Sequence, residues 1–341
     1  MKYNTLITGD YLIGYALTDL GRILYGSHIR ISELTKNLDI PLIHSRTQTR
    51  MLKYLKSMPQ LWGHKDILLF GSRGRFFDNF SIGILKSHGT RIIYDAADIP
   101  HLQNFYFGDG VIDTNLARRF YSLVNLADVL MIVSKSALSL FKQDTLKSKS
   151  VIIVPNASDP SFFKVVPIQT KTKTLLYVGG YAFARGVDEL VAAFNILKRK
   201  YSEIKLRLVG ANIPLKFESD RILVERDKIY KDMPKVHAES YLCIVPHKKN
   251  PYMDSALPIK LFDAMASARP VVVTECTETK NLVEKEKCGV VAHDNPDSLS
   301  EAIKYLILNP KVAEEMGSCG REAILKKHSW KHRAETIKKI M

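Results

Sequence analysis

Cysteine is scarce in this sequence. The 341 residues hold only Cys243, Cys276, Cys288 and Cys319, with no C-x-x-C pair and no histidine at ligand spacing. That excludes a disulfide framework and a zinc-finger site, and fits a reduced, cytosolic setting. No run of about 18 apolar residues is present, so no membrane-spanning helix is expected. Near the N-terminus Asp10 interrupts a short apolar stretch and no small-residue cleavage pattern follows, so no signal peptide is expected. Acids are also short: 35 Asp and Glu against 50 Lys and Arg leave a net charge of +15. Such an excess suits a nucleic acid, an acidic membrane surface or a phosphate-bearing substrate, and equally a lysine-rich surface kept for solubility. No Asp-x-Asp motif, low-complexity tract or repeat of 20–50 residues is found.

What is present reads as a globular chain of two domains. Hydrophobic residues make up 46% and charged residues 25% of it. Short apolar runs alternate with longer amphipathic stretches in both halves. YNTLITG, ILLFGS, RIIYDAAD, DVLMIVS and VIIVPNASDP read as buried parallel strands, with SHIRISELTKNL and NLARRFYSLVNLA as helices between them. After a polar linker, VVPIQTKTKT, the pattern restarts. TLLYVGG, KLRLVG, YLCIVPH and PVVVT read as strands; VDELVAAFNILKRKY and PIKLFDAMAS read as helices. NPKVAEEMGSCGREAILKKHSWKHRAETIKKI reads as helical throughout. The expectation is an α/β fold of two Rossmann-like, doubly wound domains facing across a cleft, with a helical C-terminal tail. The domains are placed at 1–166 and 167–326, and residues 327–341 form a helix crossing back to the first.

Ligands in open α/β sheets bind beyond the carboxyl ends of the strands. In LYVGGYAFARGVDELVAAF, Gly179 and Gly180 end a strand and Arg185 stands at a helix start, which suits a phosphate or diphosphate. Plain turn glycines and a surface arginine would look the same. In SALPIKLFDAMASARPVVV, Pro258 suits a first helical turn, and free N–H groups at Leu257, Ile259 and Lys260 would point into the cleft. Lys260 and Asp263 share a face. They read as a phosphate contact and a holder of a vicinal diol at the cleft mouth, or as an intrahelical ion pair.

These stretches, with YLCIVPH before them and HSWKHRAETI after, resemble the retaining nucleotide-sugar glycosyltransferases of family 4, which have the GT-B fold. The resemblance runs through nearly the whole chain. YGSHIRISELTKNL is similar to the family's glycine loop entering its first helix, which brings in Gly26. ADVLMIVSKSALSLFK and VIIVPNASDPSFF resemble its last N-domain strands and turn. By this resemblance Arg185 contacts the donor diphosphate, Asp263 holds the ribose hydroxyls, and the backbone of Leu257, Pro258, Ile259 and Lys260 touches sugar and phosphate. The first acid of the family's E-x7-E motif is Ser255 here, and an arginine that often follows the first glycine is Gly180. Lys260 restores a positive charge, as in the P-x-K variant of the motif. The family's catalytic histidine falls near Asp95, with Asp98 and His101 as neighbouring candidates.

The implied activity is transfer of a sugar from a UDP- or GDP-type donor, with retention and without metal or other cofactor. The acceptor would be a glycan or a lipid-linked one at the cytoplasmic membrane face. Catalysis would rest on Arg185, Lys260 and N–H dipoles at the departing diphosphate. From Ile40 to Lys65 the chain has no acid; Arg46, Arg50, Lys53 and Lys56 are interleaved with apolar residues, giving a basic amphipathic surface suited to an anionic membrane or simply an ordinary Rossmann helix. Arg73, beside aromatics in RGRFF, is a candidate for an acceptor phosphate. A nucleotide-sugar epimerase of the same architecture would need carboxylate and histidine bases around one hexose. A nucleic-acid-binding protein would show a recognisable module or an Arg/aromatic sheet, and neither is present.

Overall fold

A computed structural model of the protein describes residues 12–16, 26–44, 61–70, 76–108, 110–147, 149–168 and 171–341. The first lobe runs β1 (Leu12–Ala16), α1 (Gly26–Leu38), β2 (Leu42–His44), β3 (Asp66–Phe70), α2 (Phe76–Ser87) and β4 (Arg91–Asp95). It continues with α3 (Pro100–Phe107), α4 (Thr114–Leu126), β5 (Val129–Ile132), α5 (Gln143–Leu146) and β6 (Ser150–Ile153). The second lobe runs β7 (Lys173–Val178), α6 (Val187–Leu197), β8 (Ile204–Val209), β9 (Ile222–Glu225), α7 (Met233–Ala238) and β10 (Leu242–Val245). Then come α8 (Pro251–Asp254), α9 (Ile259–Ala266), β11 (Val271–Thr274), α10 (Thr277–Glu286) and β12 (Gly289–Ala292). Three helices close the chain: α11 (Pro296–Leu308), α12 (Pro310–Ala323) and α13 (Trp330–Lys338).

Each lobe holds a six-stranded parallel sheet, in the orders β2-β1-β3-β4-β5-β6 and β12-β11-β10-β7-β8-β9. The central strands are apolar through their middles, as in Ile67–Phe70, Ile92–Tyr94 and Leu175–Val178, because both faces are covered. In β3, Leu68 and Phe70 face α1 and α13, while Ile67 and Leu69 face α2 and α4. This is the two-residue period of a strand buried on both sides. Four described strands escaped the sequence reading: β1, which lies inside its sheet, and three sheet edges, β2, β9 and β12. The strand expected at YNTLITG lies outside the described residues, and the first described strand is LIGYA, 12–16.

The closing segment is not one helix. A π-helical turn at Ile324–His328 leads to Ser329, which caps α13 by accepting the His332 N–H. α13 then lies against α1, and Trp330, 1% exposed, fills the space between them and the sheet. Where the chain passes between lobes after β6, Ser158 and Ser329 form a parallel β-bridge. Ser158 N–H donates to His328 O at 3.3 Å and Trp330 N–H to Ser158 O at 3.3 Å. Arg333 ties the same region, donating to Pro155 O at 3.1 Å and Lys327 O at 3.0 Å.

Candidate functional site

The carboxyl end of β7 shows why glycine stands there. Gly179 has φ +148°, and a Cβ on it would come within 2.9 Å of Lys260 Nζ and 3.3 Å of Arg185 Nη1. Only the missing side chain lets two cations converge on that backbone. Tyr177 donates its hydroxyl to Gly180 O at 2.8 Å, and Asn212 clamps the following loop through Tyr181 N–H (2.7 Å) and O (2.9 Å). The loop delivers Arg185 in a 3-10 turn ahead of α6. Its guanidinium lies 5.1 Å from the centre of the Phe107 ring, which belongs to the first lobe.

Lys260 comes from the first turn of α9, where Pro258 is the N-cap. Its ammonium nitrogen is buried, has no hydrogen-bond partner and lies 4.4 Å over the Tyr177 ring. Burial first, and Arg185 second, hold its pKa well below the usual 10.5. His247, just beyond the carboxyl end of β10, is buried with Nδ1 unpartnered. Burial, Lys260 and Arg185 push its pKa well below 6.5, so it is neutral. Cationic groups thus crowd one spot at the strand ends, and neither Lys260 nor Arg185 has an acid within ion-pair distance among the described residues.

The first lobe closes this spot at several points. Asp98 faces Tyr252 of the second lobe, and burial together with Asp95 pushes its pKa up against the pull of Arg30 and Arg185. Ser134 Oγ donates to Ser255 O at 2.8 Å, and Asn156 Nδ2 donates to Leu257 O at 2.9 Å. Gly26 opens α1 with its Cα facing the Ile259 side chain, and Ile259 joins the first lobe's core.

Of the residues expected to act, Arg185, Lys260, Gly179, Gly180 and the 257–260 segment come together, with Asp98 facing them. Others are placed differently. Asp95 is not free: Arg30 donates to both its oxygens at 2.8 Å, and also holds Val154 O and Pro155 O. It is half of a buried ion pair whose contacts tie α1 to β4 and to the segment after β6. His101 turns away from the cleft and packs 5.5 Å from Phe120 and 5.7 Å from Tyr121, between α3 and α4. Asp263 is not at the mouth of the cleft. It is 3% exposed, and one oxygen accepts from Ser158 Oγ at 2.6 Å and from Tyr230 OH at 3.3 Å. Burial raises its pKa to about 8, and it makes no ion pair with Lys260. Ser255, in place of the family's first acid, is buried and donates to Tyr252 O at 2.8 Å. Arg46, Arg50, Lys53, Lys56 and Arg73 lie outside the described residues.

Sequence reasoning missed His247, Tyr252, Tyr177 and Phe107. Only His247 carried a signal, as the polar residue ending an apolar strand. Among the described residues no group of three His, Cys, Asp or Glu is placed to hold a metal ion, and no helix is long and apolar enough to cross a membrane.

Two parallel α/β lobes facing across such a site make the GT-B architecture of glycosyltransferases. Sucrose-phosphate synthase from Thermosynechococcus elongatus superposes with a TM-score of 0.77 at 15% identity, over 97% of this chain and 98% of that one. Anabaena HepE, solved in complex with UDP-glucose, gives 0.77 at 14% identity over 96% and 98%. WaaG, a glycosyltransferase involved in lipopolysaccharide biosynthesis, gives 0.66 at 13% identity over 97% and 99%. Residues 172–309, which include Arg185, His247 and Lys260, match the family described as Glycosyl transferases group 1. An uncharacterized glycosyltransferase of Haemophilus influenzae is 23% identical over 219 residues, 59% of this chain and 58% of its own length. One from Methanocaldococcus jannaschii is 22% identical over 256 residues, 73% and 70%. The match thus spans less than two thirds of the Haemophilus relative.

Proposed function

We propose that the protein is a glycosyltransferase that takes a sugar from a nucleotide-diphosphate donor and hands it to a glycan or lipid-linked acceptor presented by the first lobe. The observation that carries this is the uncompensated pair Lys260 and Arg185 at Gly179. A buried ammonium without a hydrogen-bond partner is costly unless an anion completes it, and a diphosphate supplies two negative charges where the N–H groups at the start of α9 also converge. As the glycosidic bond breaks, charge grows on the leaving diphosphate, and cations already fixed in a dry site stabilise it without reorganising. Tyr177, Asn212 and Gly179 do that fixing.

Asp98 and Tyr252 stand on the opposite side of the same spot and are the residues of choice for the donor sugar's hydroxyls and the acceptor's proton. Asp263, tied to Ser158 and Tyr230, acts by positioning α9. The family resemblance supports retention of configuration, and a site that holds its own cations supports chemistry without a metal. HepE, solved with UDP and UDP-glucose, supports a uridine donor first. The test is calorimetric titration with UDP, GDP and UDP-glucose, followed by product analysis in EDTA. If no nucleoside diphosphate binds, or if Arg185→Ala binds as wild type does, the reading fails.

A further inference from the structure

A cavity of about 1070 Å³ opens in the first lobe between α2, α3, α4 and the turn after β5, away from the cation pair. Its wall is largely hydrocarbon: Phe80, Leu102, Ile112 and Leu140 face it, with Phe80 59% and Ile112 47% exposed. Two polar atoms on the same wall are buried without partners, His101 Nδ1 and Asn79 Oδ1. Buried polar groups in folded proteins are nearly always paired, and His101 is only 5% exposed. Arg118 and Lys142 stand at the cavity, and among the described residues no carboxylate lines it. Lys142 sits 4.8 Å over the Tyr121 ring, close enough to His101 to join burial in keeping the imidazole neutral. A neutral imidazole can donate a hydrogen bond to an oxyanion, and an asparagine oxygen can accept one from a hydroxyl.

An apolar wall, partnerless polar atoms and unopposed cations together describe an amphiphile of negative charge. We propose that this cavity binds a single-chain anionic lipid, a long alkyl or prenyl phosphate, with its hydrocarbon along Phe80, Leu102, Ile112 and Leu140 and its phosphate at Lys142, Arg118 and His101. This binding stands by itself, whether or not the glycosyltransferase reading holds.

Dodecyl phosphate, kept below its micelle concentration, tests it by calorimetric titration of the full chain, with inorganic phosphate and dodecyl maltoside as controls. One molecule should bind per chain, with inorganic phosphate at least tenfold weaker and the neutral maltoside several-fold weaker. Ala117→Trp, which fills the cavity from the half-exposed face of α4, should cut dodecyl phosphate affinity at least tenfold. Lys142→Glu, at an exposed position that folding tolerates, should cut it about fivefold or more. UDP affinity should stay unchanged in both. Equal binding to wild type and Ala117→Trp overturns the proposal. So does a concentration-dependent dimer that Ala117→Trp abolishes while dodecyl phosphate fails to bind. Lipid binding without UDP binding would sink the donor-site reading and leave this one standing, and the converse result would do the reverse.

Discussion

Replacing Lys260 by methionine should make the unliganded protein more stable and a poorer binder of nucleotide. The ammonium lies inside the protein without a hydrogen-bond partner among the described residues, 4.4 Å over the Tyr177 ring. A partly desolvated cation–π contact is worth about 2 kcal/mol, whereas the desolvation of a buried ion costs several kcal/mol. Exchange for an apolar chain of similar length should therefore gain about 1–3 kcal/mol, read as a raised urea midpoint. The same change removes a charge-assisted hydrogen bond to the diphosphate, worth about 1.5–3 kcal/mol. At about 1.4 kcal/mol per decade that is a loss of roughly 10- to 150-fold in UDP affinity. Because the free lysine's pKa is held well below 10.5, the diphosphate should also pull a proton onto it. Titration of UDP near pH 9, in buffers of different ionisation enthalpy, should show proton uptake in wild type and none in the variant. A Lys260→Met protein that is destabilised, or that keeps wild-type UDP affinity, would refute the reasoning.

Other changes have signs the structure fixes. The Asp263 carboxyl has its pKa raised from 3.8 to about 8, so its stabilising share is complete below pH 4 and is lost as pH rises through 8. Asp263→Asn should flatten that decline, matching wild type near pH 4 and exceeding it near pH 9 in urea denaturation. Arg30→Ala should cost about 3–5 kcal/mol by stranding Asp95 in the interior, and Asp95→Asn with Arg30 intact should hurt stability before it alters the pH profile of activity. Trp330→Ala should cost about 3–5 kcal/mol by emptying the space beneath α13. Trp330→Phe should cost under about 1.5 kcal/mol, since the indole N–H has no partner to lose.

The central strands were legible because a strand buried on both faces carries an unbroken apolar run, as ILLF, VLMI and VVV do. Edge strands need no such run. Leu42–His44 is three residues long, and ILVE and GVVA mix faces or begin on glycine, so nothing in them separates strand from loop. Arg185 and Lys260 were legible because a glycine-ended strand and a proline-started helix say where the backbone goes. What covers a side chain is another matter. Spacing put Asp263 on the face of Lys260, but the Ser158 hydroxyl that encloses it comes from 105 positions earlier. Arg30, which neutralises Asp95, is 65 positions away. His101 follows Asp98 closely in sequence, yet the helix beginning at Pro100 turns it to the far side.

The two inter-lobe crossings are joined at one place, the bridge between Ser158 and Ser329. Strands fastened side by side behave as a single pivot, not as two independent tethers. Any parting of the lobes is therefore a clamshell swing that barely moves the atoms around Ser158 and moves those at the lips most. The contacts that have to yield on such a swing include Phe107 against Arg185 and Phe107 against Tyr252. These two latches sit beside the spot where Arg185 and Lys260 converge.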